Sequence, residues 1–270
     1  MPATAIILAA GRGRRLGELT DQRPKCLLRV GPLSLIEHQL EALRTCGVER
    51  VAVVVGYHGE AVEACLRGRA SFIPNPRPQS TNSLYSLWLA REHAREGFLL
   101  LNADVLFDPE ILRRVSDCPC PAALAVERRE RFDTEEMKVE LEGDRIRALG
   151  KALAPGRTQA ENVGVLKFSP EGARVLFTRM EELLAAGAEK EFVPYALNAL
   201  AADYPLHAVP IEGLPWIEID FPEDLQRARE EVWPAILARS PAPAGEGPPA
   251  GRAGLASADR AANPSSVRGN

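Results

Sequence analysis

The sequence predicts an α/β fold, a Rossmann-like mixed, mostly parallel sheet flanked by helices. Three observations predict it. Short β-branched and apolar runs alternate with helical patterns, as in βαβ units. The first run leads directly into a glycine loop, Gly11-Arg12-Gly13. Two later runs flank Gly143-Asp144, a hairpin signal that makes the second half of the sheet mixed.

In chain order, the candidate strands are Ala5 to Ala10, Val51 to Gly56, Phe98 to Asn102, Ala122 to Glu127, Lys138 to Leu141, Val163 to Phe168 and Leu206 to Pro210. Arg145 to Leu149 completes the hairpin. Between them, Ile36, Leu40 and Leu43 share one helical face, as do Leu84, Trp88 and Leu89. Residues 1–238 are expected to form one catalytic domain. Residues 239–270 are Ala-, Pro- and Gly-rich without aromatics, so they are expected to form a disordered tail.

The chain has 270 residues, 46% hydrophobic and 26% charged, enough for a sizeable core. A net charge of −4, spread along the chain, leaves no basic footprint for nucleic acid. Five cysteines with no C-x-x-C pair give neither a disulfide framework nor a zinc ribbon. No apolar run approaches the ~18 residues of a membrane span. The apolar start precedes Arg12, Arg14 and Arg15, the reverse of a secretory signal, so a cytoplasmic protein is expected.

The loop after the first strand is the most informative segment. Glycines leaving a parallel strand let backbone N–H groups approach a phosphate. A dinucleotide fold would need glycine where Leu16 stands, and an acid ending the second strand, where the chain reads Val55-Gly56-Tyr57. The Walker pattern is absent too, since Gly150-Lys151 is followed by Ala152. Arg12, Arg14, Arg15 and Lys25 crowd four cations around one turn, which suits a triphosphate or, alternatively, a solvated basic loop.

Leu8-Ala9-Ala10-Gly11-x-Gly13-x-Arg15-Leu16 with Pro24-Lys25 resembles the signature of the nucleotidyltransferases that join a nucleoside triphosphate to a sugar 1-phosphate or related phosphate. Asn102-Ala103-Asp104 and Glu218-Ile219-Asp220 resemble the two acidic motifs of that family. The segments at Thr81 to Trp88, Glu136 to Val139 and Trp216 to Phe221 look most like the phosphocholine cytidylyltransferase branch. The resemblance runs over residues 4 to 235. It departs from the family at Arg14, where relatives carry Ser or Thr, and at Ala103, where glycine is common.

The resemblance implies that Leu8, Ala10, Gly11 and Gly13 cradle the nucleotide and that Arg15 and Lys25 are catalytic, acting on the triphosphate and leaving group. It implies that Asp104 and Asp220 hold Mg²⁺, whose preference for a few carboxylates and phosphate oxygens they match. Asp220 is alternatively a helix cap before Pro222, and Asn82 either reads the base or caps its helix. Lys138 and Lys151 fit the acceptor phosphate or stand as solvated strand-end lysines.

Around the acceptor, Tyr85, Trp88, Phe132 and Trp216 with Asp133, Glu161 and Glu218 offer an ammonium cage. Trp216 and Glu218 are expected in the pocket and Trp88 in the core. Glu161 with Asn162 suits sugar hydroxyls instead. The implied activity is Mg²⁺-dependent transfer of CMP from CTP to a phosphocholine-like phosphate or phosphonate acceptor. The alternatives are a sugar-1-phosphate nucleotidyltransferase using UTP, dTTP or GTP, and a non-catalytic nucleotide-binding subunit. The four histidines lack metal or triad spacing, and Cys26 is either activated by its cationic turn or a packed thiol.

Overall fold

The structure, a computed structural model, describes residues 2–239. From residue 240 onward, the expected tail lies outside the described residues.

The strands are β1 (Thr4–Ala9), β2 (Arg29–Val30), β3 (Leu33–Ser34), β4 (Arg50–Val55), β5 (Ser71–Pro74), β6 (Phe98–Asn102), β7 (Val105–Phe107), β8 (Ala122–Arg128), β9 (Lys138–Glu142), β10 (Arg145–Gly150), β11 (Ala160–Phe168), β12 (His207–Pro210) and β13 (Trp216–Glu218). The helices are α1 (Leu35–Thr45), α2 (Gly59–Cys65), α3 (Ser83–Leu89), α4 (Pro109–Asp117), α5 (Pro170–Ala185), α6 (Val193–Ala201), α7 (Pro222–Arg227) and α8 (Trp233–Arg239).

Nine strands form one sheet in the order β5-β4-β1-β6-β11-β8-β12-β10-β9, and within it only β11 and β10 oppose the common direction. The expected hairpin is the antiparallel pair β9 and β10. β2, β3, β5 and β7 are not among the candidate strands, β2 and β3 being two residues each. β5 is an edge strand ending in proline, and β7 is three residues long, too short to show a period.

Alternate residues of the central strands face opposite layers. Ile6, Val54, Leu100 and Leu124 pack with Leu84, Leu176 and Leu197 of α3, α5 and α6. Ile7, Val53, Leu101 and Val165 pack with Ile36 and Ile111 of α1 and α4. Two helices of that second layer, α1 and α4, start on local signals. Ser34 and Glu37 close a capping box on α1, and Asp108 caps α4 ahead of Pro109.

A smaller cluster decides where the site lies. Leu16, Leu106, Ile217, Ile219 and Leu225 are buried together, so the chain just after the glycine loop is pinned against β13 and α7. Burying these side chains is worth about 1.5–3 kcal/mol each relative to exposure. The packing brings Arg15 beside Asp220 from the far end of the sequence.

Candidate active site

A cleft of about 920 Å³ opens where β1 and β6 end, the position at which parallel α/β sheets bind ligands. Leu8, Ala10, Gly11, Gly13 and Asn82 all line it. Gly13 has φ +70°, a left-handed conformation that favours glycine, and a Cβ there would stand 3.0 Å from the Cβ of Lys25. Thr20, buried, donates its hydroxyl to the Gly13 carbonyl at 3.0 Å and fixes the turn.

Asn82 takes the cap role that its sequence position allowed. Its side-chain oxygen accepts from the Ser83 N–H at 2.9 Å at the start of α3, and the residue lines the cleft. Gly56, which sequence reading valued only for the acid missing there, closes the opposite wall. A Cβ at Gly56 would meet the Ala10 carbonyl oxygen at 2.7 Å and Pro78 at 2.8 Å, so the two loops touch only because it is glycine.

Pairing of β7 with β13 assembles the acidic centre. Glu218 stands opposite Val105, and the Ile219 N–H donates to the Asp104 carbonyl at 3.0 Å, so Asp104 faces a segment flanked by Glu218 and Asp220. Asp220 does not cap α7: Phe221 is the N-cap residue, and Asp224 in the first turn reaches back with Oδ2 to accept from the Asp220 and Phe221 N–H groups at 3.0 and 2.8 Å. Asp220's own carboxylate is left for the cleft.

There it meets Lys25. The buried ammonium donates to Asp104 Oδ2 at 2.9 Å and to Asp220 Oδ1 at 2.6 Å. Burial works to neutralise Lys25, but Asp104 and Asp220 outweigh it and hold its pKa above the ordinary lysine value. Burial likewise opposes ionisation of Asp220, yet Lys25 and Arg15 keep that carboxyl below its usual range. Glu218 lacks such a partner. Burial, then the charges of Asp104 and Asp220, push it up to about 8.

Asp104, Glu218 and Asp220 each present a carboxylate oxygen within 4.8 Å of the others, and Asp104 Oδ1 is buried without a hydrogen-bond partner. Hard oxygen donors with one lone pair unspent fit a small divalent cation. Glu218, expected on the acceptor side, thus joins the metal-type cluster while still lining the cleft.

Arg15 reaches the same centre, donating to Asp220 Oδ2 at 2.9 Å and to Glu135 Oε2 at 2.6 Å. Glu135 also accepts from Lys151 Nζ at 2.9 Å, so one carboxylate joins Arg15 to Lys151 across the cleft mouth. Glu135 escaped sequence reading because it lies in a loop with no periodicity and no motif. Lys138 does not line the cleft. Its buried ammonium donates to the Lys151 carbonyl at 2.7 Å and thereby sets the course of the Lys151 backbone.

Glu161 and Trp216 lie behind the cleft wall rather than on it. Glu161 is buried on β11, where burial pushes it up to about 7 against the pull of Arg129. The Trp216 ring sits under the Arg129 guanidinium at 5.7 Å. Trp88 packs half-buried against the core, with Arg91 over its ring at 3.9 Å, outside the cleft. Cys26 is a packed thiol pushed up to about 12 by burial, far from the thiolate that chemistry would need.

A glycine loop at the end of the first strand, two cations and a carboxylate cluster thus lie together at the sheet's ligand edge. The chain belongs to the MobA-like NTP transferase domain family, which it matches over residues 5–209. It is 32% identical over 243 residues to the CMP-5'-(3-aminopropyl)phosphonate synthase of Streptomyces rubellomurinus, covering 84% of this chain and 38% of that protein. It is 27% identical to the CTP:phosphoglutamine cytidylyltransferase of Campylobacter jejuni, covering 82% of this chain and 97% of that one. Among solved structures, the inositol-1-phosphate CTP transferase from T. maritima aligns with TM-score 0.71 at 25% identity, covering 85% of this chain and 97% of that one. The chain spans about half the length or less, 38% to 52%, of the first curated relatives it matches.

Proposed function

We propose that this chain is a cytidylyltransferase that moves CMP from CTP to a small acceptor carrying a phosphate or phosphonate and releases pyrophosphate. The observation that carries this reading is the convergence of Asp104 and Asp220 on Lys25 beside the glycine loop. The choice of CTP draws support from relatives whose names specify CTP or CMP. The setting in this reading is the cytoplasm, supported by five unpaired cysteines. No helix among the described residues is long and apolar enough to cross a membrane.

The chemistry needs no base on the nucleophile, because a phosphate monoester is already largely dianionic near neutral pH, with a second pKa of about 6. The protein's work is alignment and charge neutralisation. Backbone N–H groups of the Gly11 to Gly13 loop receive the triphosphate. Lys25 and Arg15 neutralise charge as the acceptor oxygen attacks the α-phosphorus in line and pyrophosphate departs. Asp104 and Asp220, with Glu218 beside them, would hold the divalent cation, for which Mg²⁺ is our assignment. When bound, it would supply Lewis-acid neutralisation of phosphate charge. Lys151, tied to Glu135, stands at the mouth to meet the acceptor phosphate.

The test is pyrophosphate release with Mg²⁺ and each nucleoside triphosphate in turn, against one pool of amino-alcohol phosphates and phosphonates and one of sugar 1-phosphates. Release with CTP and the first pool is expected. Release with another nucleotide and the second pool would replace the proposed branch with the sugar-1-phosphate one. Silence with a folded chain would point to a binding subunit.

A further inference from the structure

Behind the cleft wall, one arginine of the chain sits in a box of acids. Arg129, just after β8, donates from Nε to Glu127 Oε2 at 2.7 Å and from Nη1 to Glu136 Oε1 at 2.9 Å. Its Nη1 also lies 2.8 Å from Glu161 Oε2, but no Arg129 N–H is aligned on that oxygen, which is buried without a hydrogen-bond donor. The Trp216 ring forms the floor, 5.7 Å from the guanidinium carbon. Three carboxylates face one cation, and the most buried of them is the one left without a hydrogen bond.

The box adjoins the cleft. Met137 and Asn162, the chain neighbours of Glu136 and Glu161, line the cleft, as does Glu218, two residues after Trp216 on the same face of β13. The Asn162 N–H donates to the Met137 carbonyl at 2.9 Å, so these two neighbours form one continuous wall segment. The Arg129 side chain is 36% exposed, so it can turn out to solvent without unpacking the core.

We propose that Glu127, Glu136, Glu161 and Trp216 form a subsite for a protonated primary amine at the far end of the acceptor, and that Arg129 fills it until the acceptor arrives. This rests on the nucleotidyl-transfer reading above and specifies its acceptor as an amine-bearing phosphate or phosphonate. With Arg129 in place the buried Glu161 Oε2 is left in ionic contact without a hydrogen bond, and an unsatisfied buried acceptor costs about 1–3 kcal/mol. An arriving ammonium brings three N–H donors, enough for Glu161 as well as the two acids that Arg129 serves. A trimethylammonium group has none to give. It is best held by several aromatic faces, and this box offers one. A neutral hydroxyl that displaced Arg129 would leave the acids without a counter-charge.

The experiment is calorimetric binding of three acceptors of equal length in the presence of Mg²⁺ and a non-hydrolysable CTP analogue. They are an aminoalkyl phosphonate, its N-trimethyl form and its hydroxyalkyl form. The amine is expected to bind about tenfold or more tighter than either of the others, the discrimination available to a site built around buried hydrogen-bond acceptors. Glu161→Gln should shrink that advantage to about threefold or less. Arg129→Gln, which removes the internal occupant, should tighten amine binding severalfold. Equal affinities, a preference for the trimethyl form, or no binding by any of the three would each overturn the subsite. If Glu161→Gln does not fold by circular dichroism, the half-buried Glu136→Gln variant carries the same comparison. Pyrophosphate release measured in parallel separates the two readings. Turnover without amine preference sinks the subsite alone, and absence of turnover with every nucleotide sinks the transfer reading.

Discussion

The Lys25 ammonium lies 2.6 Å from the Asp220 carboxylate, although 195 positions separate them in sequence. Asp104 shares the same ammonium, so an internal cation stands among the carboxylates that fit a divalent ion. Without it, three neighbouring acids would repel one another in a partly buried site, which is costly at low effective dielectric. Lys25 therefore keeps the acidic cluster together, and in the proposed reaction it also neutralises phosphate charge.

Lys25→Ala should lower kcat by about a hundredfold, the loss of roughly 3 kcal/mol of transition-state charge stabilisation. The check is pyrophosphate release at saturating CTP and acceptor. A fall of less than threefold would show that Lys25 only balances the acids.

Asp104→Asn should raise the Mg²⁺ concentration for half-maximal turnover by about tenfold or more, because it weakens a hard-oxygen donor set whose spare lone pair lies on Asp104 itself. An unchanged metal titration in a variant with native circular dichroism would remove Asp104 from the metal site.

The central strands were legible because each is a run of apolar residues whose ends coincide with turn residues, and both Asp104 and Asp220 follow such runs. That the two meet was not legible from periodicity, because the joining strands β7 and β13 are three residues each. Only the resemblance linked them. Glu218 was readable as a pocket residue but not as the third member of the cluster, since sequence does not show how close three carboxylates come. Glu135 carries no local signal at all. Its partners Arg15 and Lys151 come from distant segments. The open choice at Asp220 between cap and cleft falls to the cleft, because its carboxylate accepts from Lys25 and Arg15 while Phe221 holds the N-cap position of α7.

Gly13→Ala should cost stability and activity together. The left-handed backbone penalises any Cβ by about 1–2 kcal/mol, and this one would press on the Cβ and Cδ of Lys25 at 3.0 and 3.2 Å. Urea denaturation should show a loss of that order, and kcat should fall as Lys25 is pushed from its position between the carboxylates. Full activity with lowered stability would mean that Lys25 adjusts freely.

The pH dependence of stability should carry the mark of Glu161. Its pKa rises on folding from an ordinary 4.5 to about 7, because burial penalises the carboxylate more than Arg129 rewards it. Between those values the folded chain binds the proton and the unfolded chain does not, so stability falls as pH rises through this window. The contribution is complete below about pH 4.5 and gone above about pH 7, and amounts to about 1–3 kcal/mol. Asp220 acts in the opposite sense. Its lowered pKa adds stability above the usual aspartate range that is lost as pH falls through it, so the two effects occupy separate windows. Urea midpoints of the metal-free chain at pH 5, 6, 7 and 8 should therefore decline more steeply for the wild type than for Glu161→Gln, which has no proton to release. Parallel declines would mean that Glu161 stays ionised throughout, and that the Arg129 charge alone compensates its burial.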